Sequence, residues 1–185
     1  MKELSLNILD IVENSVKAGA DLISICLQED RDKLTFRVTD NGCGMRQEIL
    51  KGVMDPFYTT RTTRKVGLGI PLLKMAAEQT GGSVRISSQH VDESPDSHGT
   101  TLVAEFYKQH IDFTPLGDII STVTTLIQGS PKIDFVFEHH TENNCVTLDT
   151  RQLREILGAD IPLNSPEILR WTGQYLDEQY KNNIN

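Results

Sequence analysis

Six consecutive residues, Asp40-Asn41-Gly42-Cys43-Gly44-Met45, constrain this chain most. They follow a short alternating run, Leu34-Thr35-Phe36-Arg37-Val38-Thr39, that reads as a strand with one buried face. An acid followed by two glycines one residue apart is an unusual way to leave a strand. Glycine tolerates positive φ and has no side chain to hold another group away, so Gly42 and Gly44 let backbone and ligand approach closely. Asp40 then becomes a fixed acceptor beside a flat pocket. A carboxylate there can receive a hydrogen bond from an exocyclic amine and discriminate against a ligand lacking it. Alone, Asp-Asn-Gly is an ordinary hairpin turn; the flanking sequence decides between the two readings.

Upstream, residues 3 to 18 read as a helix, with Leu4, Ile8, Ile11, Val12 and Ser15 at helical spacing and Gly19 as its stop. Asn7, Asp10, Asn14 and Lys17 line up in one polar stripe. A solvated stripe is the default for an amphipathic helix. Here Leu6, Leu9 and Val16 make the remaining sides apolar, so the stripe is read as lining a site. A hairpin follows, Leu22 to Gln28 and Leu34 to Thr39, around a charged turn. A short helix then spans about Gln47 to Met54.

From Asp55 the pattern turns polar and basic, with Arg61, Arg64 and Lys65, before Gly67-Leu68-Gly69-Ile70-Pro71 opens a helix that runs to about Thr80. Free N–H groups at a helix start, with arginines nearby, suit an anion such as phosphate. Ser83 to Ser88 and Gly99 to Tyr107 read as strands, separated by a polar loop holding His90 and His98. Loop histidines are mostly solvated, and no metal site is read there.

The chain has 185 residues, a net charge of −8 and no long basic run, which argues against nucleic acid or an anionic membrane as the main partner. No apolar stretch approaches the ~20 residues of a transmembrane helix. The sequence opens on a mixed helical pattern rather than a signal peptide. Cys26, Cys43 and Cys145 have neither metal-type spacing nor a disulfide framework; Cys26 is expected in the core, and the expected compartment is cytoplasmic.

Taken in order, these elements resemble the GHKL ATPase superfamily, which includes DNA gyrase, the heat-shock chaperone ATPase, histidine kinases and the mismatch-repair ATPase. The segment from Ile11 to Asp21 resembles the N box and Asp40 to Met45 the G1 box. Asp55-Pro56-Phe57-Tyr58-Thr59-Thr60 resembles the F box of histidine kinases, Gly67 to Leu73 their G2 box, and His98-Gly99-Thr100-Thr101 the closing G3 element. The likeness covers roughly residues 1 to 107 and is closest to the histidine kinase-like ATPase catalytic domain.

The resemblance implies a Bergerat-type ATP-binding fold. This is an α/β (α+β) two-layer sandwich, a mixed sheet with helices on one face. It implies ATP and Mg²⁺ as cofactors, with Asn14 as the metal ligand and Asp40 binding the adenine amino group, helped by Thr100. Carried over box by box, the nucleotide site comprises Asn14, Lys17, Asp40, Gly42, Gly44, Met45, Gly67, Leu68, Gly69 and Thr100. Residues 46 to 69 would form a lid. Asp10, one helical turn before Asn14, stands where gyrase and mismatch-repair ATPases carry a glutamate taken as the base for water. It is one methylene shorter, which leaves two roles open: general base, or partner of the Mg²⁺-bound waters.

Residues 112 to 185 have a different texture, read as a small C-terminal αββαα domain or extension. A helix is expected from Pro115 to Gln128, strands over Lys132 to His139 and Cys145 to Asp149, a helix capped by Thr150, and a last helix from Ser165-Pro166 to about Tyr180. His139 and His140 are expected to be solvated, and Trp171 and Tyr175 to be core. Intramolecular phosphorylation of a histidine on a preceding helix is not expected from this sequence. The expected function is therefore a kinase-like, Mg²⁺-ATP-dependent protein that phosphorylates a separate His or Ser acceptor. The alternative is a nucleotide-gated ATPase switch that regulates a protein partner; a homodimer is one open assembly.

Overall fold

In the computed structural model, residues 3–54, 69–158 and 161–182 are described. Alternating β-branched, aromatic and polar residues produce the strands β1 (Leu22–Glu29), β2 (Lys33–Asp40), β3 (Ser83–Gln89), β4 (Gly99–Tyr107), β5 (Asp134–Thr141) and β6 (Cys145–Asp149). They form one mixed sheet in the order β3-β4-β2-β1-β5-β6. Neighbours are antiparallel except β1 and β5, whose parallel register pairs Leu22 with Asp134 and Glu29 with Thr141.

The period of two sends Ile23, Ile25 and Leu27, Leu34, Phe36 and Val38, Leu102, Ala104 and Phe106, and Phe135 and Phe137 to one face, all buried. The helices α1 (Leu4–Lys17), α3 (Gly69–Gln79), α4 (Ile119–Gly129) and α6 (Pro166–Asn182) supply the other half of a single apolar core on that side. Short α2 (Gln47–Gly52) follows the glycine turn, and α5 (Thr150–Leu157) follows β6. The opposite sheet face carries Thr35, Arg37, Thr101, Glu105, Glu138 and His140, and is partly or wholly exposed. The expected two-layer α/β sandwich is therefore the observed one. Among the described residues, no helix is long and apolar enough to cross a membrane.

Several local expectations change in the folded chain. The first four N–H groups of a helix lack intrahelical partners; Leu4 and Ser5 donate theirs to the carbonyls of Pro115 and Leu116, at 2.9 and 2.8 Å. That use of 115–116 delays α4 until Asp118 caps it, accepting from Ser121 N at 2.9 Å. Asp149, not Thr150, caps α5. The buried Thr150 hydroxyl instead accepts from Phe135 N at 2.8 Å. Cys26 is half-buried on the open sheet face rather than in the core. His139 is buried, with Nδ1 2.8 Å from Tyr180 Oη. Burial pushes its imidazole below the ordinary value, partly opposed by Glu29. Trp171 and Tyr175 stack on each other at the surface, not in the core.

Candidate functional site: a clamped carboxylate beside α1

Asp40 ends β2 at the rim of the sheet, where Thr100 is its register partner on β4. Its Oδ1 accepts from Gly42 N at 2.9 Å and from Thr100 N at 3.2 Å. Its Oδ2 accepts from the Ser15 hydroxyl of α1 at 2.6 Å. A carboxylate offers about four acceptor positions. With these three donors in place, one is left for an incoming group.

The turn after Asp40 is held from both sides. Cys43 N donates to Ala18 O at 2.9 Å, and Val91 N donates to Cys43 O at 2.9 Å. The half-buried His98 donates from Nδ1 to Gly42 O at 2.6 Å, which fixes the proton on that ring nitrogen. Buried Ser88 joins turn to sheet. Its single proton goes to Gly99 O at 3.0 Å, and it accepts from Met45 N at 2.7 Å and from Thr100 Oγ1 at 2.9 Å. Two glycines are required here. Gly44 has φ +68°, and a Cβ on it would stand 1.9 Å from Gln89 O; Gly99 has φ +129°, and a Cβ would stand 2.0 Å from Asp40 O.

The α1 stripe divides. Asn7 turns into the interior, whereas Asp10, Asn14 and Lys17 stay exposed. Lys17 Nζ lies 3.0 Å from Glu13 Oε2. Asp10 faces the first residue of α3: a Cβ on Gly69 would lie 3.4 Å from Asp10 Cβ and 3.7 Å from its Oδ2. Partial burial and the neighbouring Glu13 carboxylate hold the Asp10 carboxyl above its ordinary range, against the pull of Lys17. Ser15 touches Asp40 and Asp10 faces Gly69, so α1 spans the two places over about 7.5 Å of its axis.

The structure thus brings Asp40, Gly42, Met45 and Thr100 into one hydrogen-bonded unit, with Gly44 packed against the Gln89 backbone in the same turn. It places Asp10, Asn14 and Lys17 on one exposed edge, with Gly69 beside Asp10. Gly67, Leu68, Arg61, Arg64 and Lys65 lie outside the described residues. The sequence reading named Ser15 on the repeating face of α1 and His98 at the start of the G3-like element but gave neither, nor Ser88, a part in the site. Ser15 had a signal, standing one residue from Asn14; Ser88 and His98 reach the turn only through the pairing of β3 with β4.

A mixed sheet with helices on one face and a clamped acid at its rim define an α/β sandwich built around a hydrogen-bonded acid–glycine turn. The family model described as "Histidine kinase-, DNA gyrase B-, and HSP90-like ATPase" matches residues 2–110, and the chain belongs to that family. Among curated relatives, the Sensor protein SrrB of Staphylococcus aureus (strain NCTC 8325 / PS 47) is 29% identical over 113 residues, 58% of this chain. The chain spans only 18% of that relative's length. The N-terminal domain of a DNA repair protein superposes with a TM-score of 0.57 at 17% identity, covering 85% of this chain and 57% of that one. The Aquifex aeolicus MutL ATPase domain complexed with ADP superposes with a TM-score of 0.54 at 13% identity, covering 85% and 69%. Coverage of 85% is more than residues 2–110 can supply, so part of the C-terminal third shares this architecture.

Proposed function

We propose that the protein binds Mg²⁺-ATP and transfers the γ-phosphoryl group to a His or Ser side chain of a separate protein. The observation that carries the reading is the Asp40 carboxylate, held by three donors with one acceptor position left, beside a turn whose glycines keep side chains away. That arrangement suits the exocyclic amine of adenine. Asn14, exposed one turn from Asp10, would hold Mg²⁺ through its amide oxygen, a hard ligand of the kind that ion prefers. Bound there, the ion supplies charge neutralisation at the phosphates. The residues' own task is positioning, which is most of what phosphoryl transfer asks of a protein. The boxes at Asp55–Thr60 and Gly67–Leu73, similar to those of histidine kinases, support transfer over hydrolysis.

A second reading has its own support. The Asp10 carboxyl, raised by burial and set against the start of α3, has the character of a base for water. The protein would then be a hydrolysing switch acting on a partner. Incubation with Mg²⁺ and γ-labelled ATP separates the two. Transfer predicts tight binding with little free phosphate until an acceptor is supplied; phosphate release that disappears in Asp10→Asn selects the switch. In both cases ATP should bind at least about tenfold better than inosine triphosphate, which presents an acceptor where adenine has its amine. Equal affinity for the two nucleotides overturns the site.

A further inference from the structure

The sheet face that the helices leave open carries a second cluster of donor groups. Cys26 on β1 and Glu138 on β5 are partners in the parallel register, and His140 stands two residues beyond Glu138 on the same face. Their neighbours Ile25, Leu27, Phe137 and His139 point the other way, into the core. The strand period therefore obliges a thiol, a carboxylate and an imidazole to stand together outside it. One ligand atom from each lies within 4.8 Å of the others, and His140 Nε2 is 3.1 Å from Glu138 Oε2. The Glu138 and His140 side chains are 43% and 42% exposed, so an ion and its waters can reach them.

We propose that Cys26, Glu138 and His140 form a binding site for a zinc-class divalent cation, with a fourth position open to solvent. A thiolate with an imidazole and a carboxylate is a borderline-soft set that suits Zn²⁺ or Co²⁺, whereas Mg²⁺ asks for oxygens. Tetrahedral bonds of ~2.0–2.3 Å put ligand atoms ~3.5 Å apart, so the cluster closes by about an ångström on binding. Half-exposed side chains allow that by small rotations. Arg37 is the partner of Cys26 on β2 and opposes a cation; the Glu138 carboxylate offsets it, and a bound metal displaces the thiol proton. Cys145 faces His140 from β6. It is two strands across and two residues along from Cys26, roughly 12 Å at Cα, which is too far for a disulfide. A bound ion would clamp β1 to β5, joining residues 2–110 to the C-terminal strands.

The test is Co²⁺ titration of the reduced, chelator-stripped full chain. The expected result is a thiolate-to-cobalt charge-transfer band that saturates at one equivalent and is displaced by Zn²⁺. Cys26→Ser should abolish it, and Cys145→Ser and Cys43→Ser should leave it. Loss of a group that merely supports a metal ligand costs ~10–100-fold in affinity, so His140→Ala should weaken Co²⁺ by at least about 100-fold. Glu138→Gln, similar in size and half-exposed, serves as the variant least able to disturb folding, and it too should weaken Co²⁺. Zn²⁺, but not Mg²⁺, should raise the unfolding midpoint of the unaltered chain and leave that of Cys26→Ser unmoved. Absence of the band, or a band that survives Cys26→Ser, overturns the proposal.

Discussion

The two acids of the candidate site, Asp40 beside α1 and Asp10 on it, are held in opposite ways. Asp40 has all but one of its acceptor positions filled, by Ser15, Gly42 and Thr100. Asp10, at the other end, is perturbed rather than satisfied: burial and Glu13 raise its carboxyl. A carboxylate saturated with donors is geometrically fixed and suits recognition. One whose charge is disfavoured suits proton exchange. The contrast is between a fixed end and a titratable end of the candidate site, and each substitution below tests that division.

The largest effect belongs to the glycine turn. In Gly44→Ala the new Cβ meets Gln89 O at 1.9 Å, at a φ of +68° that disfavours any side chain. Left-handed strain of ~1–2 kcal/mol plus a displaced β3 backbone should destabilise by at least about 3 kcal/mol. For a chain this long that lowers the unfolding midpoint by roughly 6–12 °C, and ATP binding should go with it. A variant that melts normally would show that the turn yields, and the division would lose its rigid half.

Asp40→Asn comes next and separates binding from stability. Asparagine keeps the size, and its oxygen still accepts from Gly42 N and Thr100 N. Its NH₂ group, however, would present a donor to the amine of a bound adenine where the aspartate oxygen accepts. A hydrogen bond to a charged group is worth ~1.5–3 kcal/mol, so ATP affinity should fall ~10–150-fold. Isothermal titration beside a melting curve checks it. A large stability loss with little change in affinity would make Asp40 structural after all.

Much of this was legible before the fold was known, and the reason is local. The spacing of α1, the β1–β2 hairpin and the Asp40–Met45 turn are short-range patterns, and the helix and both strands formed within a residue or two of the expected bounds. What could not be read depended on distant partners. Ser88 and His98 meet the turn only because β3 and β4 pair. Nothing near Leu22 indicates that Asp134, more than a hundred residues on, lies beside it in parallel. Asn7 shares its helical spacing with Asp10 and Asn14 but turns inward. Pro115 and Leu116 end up serving the start of α1 rather than α4.

Asp10→Asn should have a small effect on stability and a large one on any hydrolysis. The folded-state carboxyl is raised, so the stability it contributes is present below the unfolded value and is lost as pH rises through the folded one. At neutral pH the ionised group is therefore a slight cost, reduced further by solvent because the side chain is exposed. The variant should melt at the same temperature or slightly higher at pH 7, with the difference closing by about pH 4. A marked destabilisation at pH 7 would mean that Asp10, too, is structural.

Lys17 gives the smallest effect and the finest test of where the site ends. Its ammonium lies 3.0 Å from Glu13 Oε2, with both side chains 54% exposed. Such an i,i+4 pair, with the acid on the N-terminal side, is worth ~0.3–0.5 kcal/mol and is screened by salt. Lys17→Ala should therefore shift the melting midpoint by no more than about 2 °C. A mobile lysine close to the stripe can lean toward bound phosphates without being held there, so ATP affinity should fall only ~2–3-fold, equivalent to ~0.5 kcal/mol, and the difference should vanish at high salt. A tenfold loss that persists at high salt would place Lys17 in fixed contact with the nucleotide. The exposed end of the stripe would then be as firmly organised as the Asp40 end.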